Sequence, residues 1–321
     1  MPNYSQNPVK TKSRGEFTGS IIKQHKINHD FYRMGLEFAE PARECLASAK
    51  AGQFVALEVS KPNDSHRFGS MLRRPFSIAG LNNKNESPDS GKSPIIQLEI
   101  IYQVIGPGTK SLMQRKPGDK ISIIGPLGNG FTPPGATTQK IVLIGGGVGL
   151  PPLYFWADQL MRAGYENIVG FAGARSRDLF AGELIEENYQ ADKPLLPQKN
   201  LKEFARSNTD SILTTDDGGF GFHGSVLEAL EKYITSNPDW KNAIIYACGP
   251  YGMLKAVAAW AQKYPIPCQV CMEAYMACGI GVCQSCVVPV RDTDSTNKNE
   301  QNYKLVCSDG PVFPAEQIVW R

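Results

Sequence analysis

No apolar stretch in this 321-residue chain reaches the roughly 18 residues that a membrane helix needs, so no membrane insertion is expected. An excess of one charge is also missing: 34 Lys and Arg against 31 Asp and Glu leave +3. Nucleic-acid binding calls for a concentrated basic face, so no nucleic-acid partner is expected. The segment from Met1 to Glu16 is polar and lacks the apolar core of a secretory leader, which points to a cytoplasmic protein. There are no internal repeats. Cysteine is scarce along most of the chain: only Cys45 and Cys248 precede residue 268, and the other six crowd between Cys268 and Cys307. A secreted disulfide scaffold would spread its bridges along a shorter chain. Thiols gathered at one end of a larger chain read first as a metal site.

The remaining composition, 41% hydrophobic and 20% charged, is that of a globular protein long enough for two or three domains. Residues 1–17 read as a polar tail. Residues 18–135 carry short β-rich runs separated by turns: Gly19 to Gln24, Arg33 to Phe38, Gln53 to Val59, Phe76 to Leu81, Ile95 to Val104 and Lys120 to Ile124. Six such strands suggest a small antiparallel barrel, with polar Asn82 to Pro94 as an exposed hairpin loop. Residues 136–266 alternate strand and helix, which argues a parallel α/β sheet. The strands fall at Lys140 to Ile144, Asn167 to Ala172, Ser211 to Thr215 and Ala243 to Ala247. The helices fall at Pro151 to Arg162, Leu179 to Tyr189, Ser225 to Ile234 and Tyr251 to Lys263. Ala191 to Asn208 shows no regular pattern and reads as an insertion. Residues 267–321 are Cys- and Gly-rich, about 55 residues, too few for a good apolar core, so a metal staple is expected there.

The cysteines are spaced Cys278-x4-Cys283-x2-Cys286, with Cys307 after twenty intervening residues. This is the plant-type iron–sulfur spacing. Gly279 and Gly281 between the first ligands let main-chain N–H groups approach cluster sulfur. Zinc is the rival, because Cys268-x2-Cys271 and Cys283-x2-Cys286 also form two CxxC pairs. That reading ignores Cys278, the glycines and Cys307. A bystander role suits Cys45, Cys248, Cys268 and Cys271, since free Cys commonly serves as a small buried hydrophobe. Upstream, Gly145-Gly146-Gly147-Val148-Gly149-Leu150-Pro151-Pro152 follows a strand and opens a helix, a place for a pyrophosphate. The third glycine of G-x-G-x-x-G is replaced by Leu150, and a turn that only packs helix on sheet is the alternative. Cys248-Gly249-Pro250 ends another strand, where open α/β sheets bind ligands. In the barrel, Arg73-Arg74-Pro75-Phe76-Ser77 offers a guanidinium, an aromatic ring and a hydroxyl to a flavin. On composition alone, a surface Arg and a plain hairpin explain that segment, and Gly125 to Phe131, better than a flavin site does. Asp216-Asp217-Gly218 and Arg175-Ser176-Arg177 are candidates for a ribose contact or for plain surface charge.

Together these segments resemble the ferredoxin–NADP reductase superfamily. Arg74-Pro75-Phe76-Ser77 is similar to its R-x-[YF]-[ST] flavin motif. Gly145, Gly147, Gly149 and Pro152 are similar to its nicotinamide loop, and Cys248-Gly249-Pro250 to its C-G-P. Within it, Met276-Ala277-Cys278-Gly279-Ile280-Gly281-Val282-Cys283 and Cys307-x-Asp309-Gly310-Pro311-Val312-Phe313 resemble the electron-transfer subunits of type 1B dihydroorotate dehydrogenases. The resemblance implies an FAD-binding β-barrel at 18–135, an NAD-binding α/β domain at 136–266 and a 2Fe-2S domain at 267–321. It places FAD contacts on Arg74, Pro75, Phe76 and Ser77, on Ile101, Tyr102 and Gln103, and on Gly108 and Thr109. Gln103 departs from the family's basic residue. NAD contacts fall on Gly145, Gly147, Gly149, Pro152, Cys248 and Gly249, and the cluster ligands are Cys278, Cys283, Cys286 and Cys307. Of the family's acidic pair before Met-Ala-Cys-Gly, Glu273 remains and Ala274 and Tyr275 follow. The implied function is an oxidoreductase subunit of pyrimidine biosynthesis. It carries electrons from a partner FMN-containing dihydroorotate dehydrogenase catalytic subunit, in a heterotetramer, through the 2Fe-2S cluster and FAD to NAD. No general acid or base is expected, because the cofactors carry the chemistry. Two alternatives stand beside it: a flavin and iron–sulfur subunit of an NADPH–ferredoxin or sulfide-linked oxidoreductase, and a zinc-stapled non-redox binding subunit.

Overall fold

Alternating burial builds the first layer of the structure, a computed structural model that describes residues 14–60, 72–84, 94–291 and 301–321. Residues 1–13 of the expected tail and residues 85–93 of the expected hairpin loop lie outside them. Seven antiparallel strands form one sheet: β1 (Gly15–Asn28), β2 (Phe31–Phe38), β3 (Phe54–Leu57), β4 (Arg74–Ser77), β5 (Gly80–Lys84), β6 (Ile95–Gln103) and β7 (Lys120–Leu127). Their spatial order is β4-β3-β7-β1-β2-β6-β5. Ile121, Ile123, Gly125 and Leu127 of β7 are buried while Ser122, Ile124 and Pro126 between them are only partly so, a strand's period of two. The sheet curls closed at Ile78 and Ala79, whose N–H groups donate to the carbonyls of Gln53 (3.2 Å) and Glu99 (2.8 Å) on opposite edges. The run Phe76 to Leu81 is therefore two strands joined by a bend rather than one. Gly15 to Phe17 belong to β1, paired with Gly125 to Ile123, and not to a tail. Two short helices, α1 (Ala42–Ala47) and α2 (Pro107–Met113), connect the strands.

A second sheet begins with β8 (Ile141–Gly146), buried at every position as a central parallel strand should be. It continues through α3 (Leu150–Arg162), β9 (Ile168–Ala174), α4 (Lys202–Arg206), β10 (Asp210–Thr215), β11 (Phe222–His223), α5 (Val226–Ser236), β12 (Ile244–Cys248) and α6 (Tyr251–Lys263). Ser225 caps α5 reciprocally: Glu228 N–H donates to its hydroxyl at 3.2 Å, and Ser225 N–H donates to the Glu228 carboxylate at 2.7 Å.

The helix expected over Leu179 to Tyr189 does not form. The segment holds only 3₁₀ turns at Arg177–Leu179 and Glu186–Asn188. Its backbone instead pairs with a later segment, Ile185 N–H donating to Asn200 O and Lys202 N–H to Glu183 O, both at 2.9 Å. The expected insertion Ala191 to Asn208 is that pairing partner, and it contains α4.

The last unit does not stand alone. Its first strand, β13 (Cys268–Cys271), pairs parallel with β12, and the later β16 (Val312–Pro314) pairs antiparallel with β13. Both extend the nucleotide sheet, so pairing runs across the expected 266/267 boundary. Among the described residues, only β14 (Val287–Arg291) and β15 (Gln301–Leu305) make a separate two-stranded antiparallel sheet. Val288, Val290 and Val306 share one apolar core with Val142 and Ile245 of the parallel sheet. The expected shortage of apolar burial is met by this shared core, not by a metal alone.

Candidate functional site

The loop Cys278–Cys286 is shaped by two glycines with positive φ, Gly279 (72°) and Gly281 (86°), a region other residues rarely adopt. The turns aim main-chain donors at sulfur. Gly281 N–H donates to Cys307 Sγ at 3.1 Å, and the N–H groups of Ile280 and Cys283 donate to Cys278 Sγ at 3.4 Å each. The four thiols are near enough to act on one another: Cys283 feels Cys278, and Cys307 feels Cys286 and Cys278. Ser285, followed by Cys278, pulls the exposed Cys283 thiol down to about 6. Burial, followed by Cys286, pushes Cys307 up to about 12.

Four neighbouring thiols with N–H donors around them fit a cluster of two irons, each iron taking two thiolates. The zinc pairing fails on position. Cys268 and Cys271 are buried on β13 inside the sheet, where burial pushes Cys268 up to about 12. Cys271 sits in register with Cys248.

Beside the loop lies a cavity of about 510 Å³ where the units meet. Pro75 and Ser77 border it from β4, Cys248 and Gly249 from the end of β12, and Cys271 to Met276 from the approach to the cysteine loop. Its size and mixed lining suit a flavin ring. Partial desolvation by this wall holds the carboxyl of Glu273, an otherwise exposed residue, above the ordinary range. Cys248 lies well above its usual value through its hydrogen bond with the Cys271 thiol and its burial.

Arg74 reaches toward the first turn of α2, since a Cβ on Gly108 would stand 3.7 Å from its Nε. Guanidinium and helix-start N–H groups together suit a pyrophosphate. The Thr109 hydroxyl accepts from Ile105 N–H (3.0 Å) and Gly106 N–H (3.2 Å), fixing the start of α2. Phe76 and Tyr102 meet edge to face at 5.8 Å inside the barrel. Both are buried, as is Ile101.

A second cavity, about 490 Å³, is bordered by Gly146, Gly147, Arg175, Asp216 and Pro250, with Phe31 and Gln103 from the barrel. Gln103 therefore borders the nucleotide-side cavity. Gly147 (φ 54°) has open space over its Cα. Gly145 and Gly149 serve packing: a Cβ on Gly145 would stand 2.6 Å from Leu150 Cδ2, and one on Gly149 would overlap the Cys248 carbonyl. Pro152 is buried in α3. Arg175 and Asp216 reach the cavity as ribose-contact candidates. Arg177 instead pairs with Glu186 and lies over the Phe220 ring at 5.5 Å. The two cavities adjoin at Cys248-Gly249-Pro250, with Gly249 on one and Pro250 on the other.

Sequence reasoning missed Asn129. Its side-chain amide donates to the carbonyls of Ser308 (3.2 Å) and Asp309 (2.8 Å), and its N–H donates to Gly310 O (2.6 Å). The barrel's last turn thus holds the loop of the fourth cysteine. The only local signal was the glycine-rich composition of Gly125 to Phe131.

Residues 273–319 match the family described as the iron–sulfur cluster binding domain of dihydroorotate dehydrogenase B. Residues 143–259 match the oxidoreductase NAD-binding domain. Curated relatives named "dihydroorotate dehydrogenase B (NAD(+)), electron transfer subunit" include one from Desulforamulus reducens, 30% identical over 95% of this chain and 98% of its own length. Another, from Geobacillus thermodenitrificans, is 34% identical over 94% and 97%. Among solved structures, a chain of the NADH-dependent reduced ferredoxin-NADP oxidoreductase superposes with TM-score 0.67 at 27% identity, covering 94% of this chain and 90% of that one. A ferredoxin reductase of carbazole 1,9a-dioxygenase shares the fold, with TM-score 0.55 at 19% identity over 79% and 67%.

Proposed function

Because this chain belongs to the electron-transfer subunits of dihydroorotate dehydrogenase B, we propose that it carries electrons from a dihydroorotate-oxidising partner to NAD. The observation that carries this reading is the order of sites: nucleotide cavity, flavin cavity and cysteine loop adjoin one another, joined through Cys248-Gly249-Pro250 and Cys271 to Met276. When bound, FAD exchanges the electron pair of a nicotinamide for the single electrons that a 2Fe-2S cluster handles.

The protein's residues hold and shape. Arg74 and the start of α2 neutralise and orient the FAD pyrophosphate. Pro75 and Ser77 on one wall, and Cys248 and Gly249 on the other, define where the ring lies. Gly146 and Gly147 let the second dinucleotide approach the start of α3, and Asp216 faces its ribose. Cys278, Cys283, Cys286 and Cys307 hold the cluster, and the N–H groups of Ile280, Gly281 and Cys283 stabilise negative charge on sulfur.

The partner is an FMN-containing catalytic subunit, in a heterotetramer in the cytoplasm. It docks over the cysteine loop, where Tyr275 (96% exposed) and Val282 (75%) present apolar surface beside the ligands. No described helix is long and apolar enough to cross a membrane. The likeness to the NADH-dependent ferredoxin-NADP oxidoreductase supports a second reading, in which a different flavoprotein docks there. Anaerobic co-expression with an FMN-containing dihydroorotate dehydrogenase, then an assay of dihydroorotate-dependent NAD reduction, separates them. A stable, active complex supports the first reading. Failure to pair, with tight pairing to another flavoprotein, supports the second.

A further inference from the structure

We propose that Arg33 and Glu203 are positioning residues for hydride transfer, their buried ion pair setting how the nucleotide-binding sheet meets the flavin-binding barrel. The proposal rests on the reading above, in which the seam between those two units is the hydride route.

Arg33 lies on β2 of the barrel and is 1% exposed; Glu203 lies on α4, across the seam, and is 4% exposed. The Arg33 guanidinium hydrogen-bonds the Glu203 carboxylate through Nη2. Its Nη1 stands 3.1 Å from Glu183 Oε1, and its Nε stands 3.7 Å from Glu99. The other Glu203 oxygen accepts from Glu183 N–H at 3.0 Å, so both acidic residues of the nucleotide side converge on one barrel arginine. Lys202 completes the group by pairing with Glu183. Gly182 packs against this point: a Cβ there would stand 2.5 Å from Glu203 Oε2 and 2.8 Å from the Tyr154 hydroxyl.

Apolar packing tolerates small slides of one surface over another. A guanidinium held by carboxylates at fixed angles does not. A buried ion pair is a poor source of stability, and setting one geometry is a better account of it. The location makes that geometry matter. Phe31, two residues along β2 and on the same face as Arg33, borders the nucleotide cavity. Its register partner Gln103 borders the same cavity. A shift of the clamp therefore moves the barrel wall of the cavity that receives the nicotinamide dinucleotide. The segment Ala191 to Asn208, irregular in sequence, has a role in this scheme, because it supplies Glu203.

The test uses the chain loaded with FAD and cluster, mixed with NADH in an anaerobic stopped-flow instrument. Glu203→Gln should keep its FAD, its iron and its NADH affinity. Its flavin reduction at saturating NADH should slow by about 10- to 100-fold, the usual cost of a misplaced reacting pair. The long-wavelength charge-transfer absorbance between NADH and flavin should weaken. A merely structural role would lower the melting temperature and leave both optical readouts unchanged. The double variant Arg33→Met/Glu203→Met, apolar and similar in size, should show the same slowing. Flavin reduction at the wild-type rate in either folded variant overturns the proposal. Failure of both to fold also overturns it, by making the pair a folding requirement. If wild-type protein itself shows no reduction of FAD by NADH, the hydride-route reading fails instead.

Discussion

Gly281 N–H lies 3.1 Å from the sulfur of Cys307, a hydrogen bond spanning 26 residues of sequence. It ties the glycine-rich loop of three cysteines to the separate turn that carries the fourth. The bond depends on Gly281 holding φ at 86°. Gly281→Ala should strain the loop by about 1–2 kcal/mol, with its new Cβ only 3.3 Å from Ser308 Oγ. Visible absorbance should show the cluster bleaching several-fold faster under chelator than in the wild type, while flavin content stays the same.

Asn129 holds the same turn from the barrel side through two side-chain hydrogen bonds. Asn129→Ala should cost about 1–3 kcal/mol, at roughly 0.5–1.5 for each bond lost. Thermal unfolding followed by cluster absorbance should fall by several degrees. An unchanged midpoint would show that the contact contributes nothing.

Gly149 has no room for a side chain, because its Cα faces the Cys248 carbonyl across the junction of the two cavities. Gly149→Ala forces that junction apart, a clash worth about 1–3 kcal/mol. Reduction of the flavin by NADH should slow markedly, and iron content should match the wild type. Loss of iron with normal flavin reduction would contradict this placement.

The cluster-free chain offers a pH test. Cys283 titrates at about 6, held down by Ser285 and Cys278, against about 8.5 for an ordinary thiol. A lowered thiol value means more thiolate at neutral pH, so alkylation should gain rate as pH rises through about 6 and level off above 7. Cys307, pushed up to about 12, should stay nearly unreactive across that range. Mass spectrometry of peptides alkylated between pH 5 and 9 reads both.

What the sequence showed plainly was local. The ligands Cys278, Cys283 and Cys286 lie within nine residues, and their spacing with Gly279 and Gly281 states the loop's chemistry directly. The strand–glycine–helix step at Gly145 to Pro152 was legible for the same reason. Which glycine faces ligand and which only packs was not, because that depends on Leu150 and Cys248 closing over Gly145 and Gly149. The Asn129 tie and the Arg33–Glu203 pair join residues 179 and 170 positions apart, and no local pattern announces such contacts. β13 and β16 read as part of a separate cysteine-rich unit because their pairing partners lie in another segment. The missing helix at Leu179 to Tyr189 failed for a related reason: its backbone found a partner beyond residue 198 that no helical period reveals.

The most direct test of the electron path is a comparison of wild type and Cys283→Ser, each assembled with the FMN-containing partner and given dihydroorotate and NAD without oxygen. Wild type should contain about two irons and two sulfides per chain and should form NADH. In Cys283→Ser, dihydroorotate should still bleach the partner's FMN while NADH formation is lost along with the cluster. NADH formation at the wild-type rate in that variant, with the cluster absent, would contradict the account.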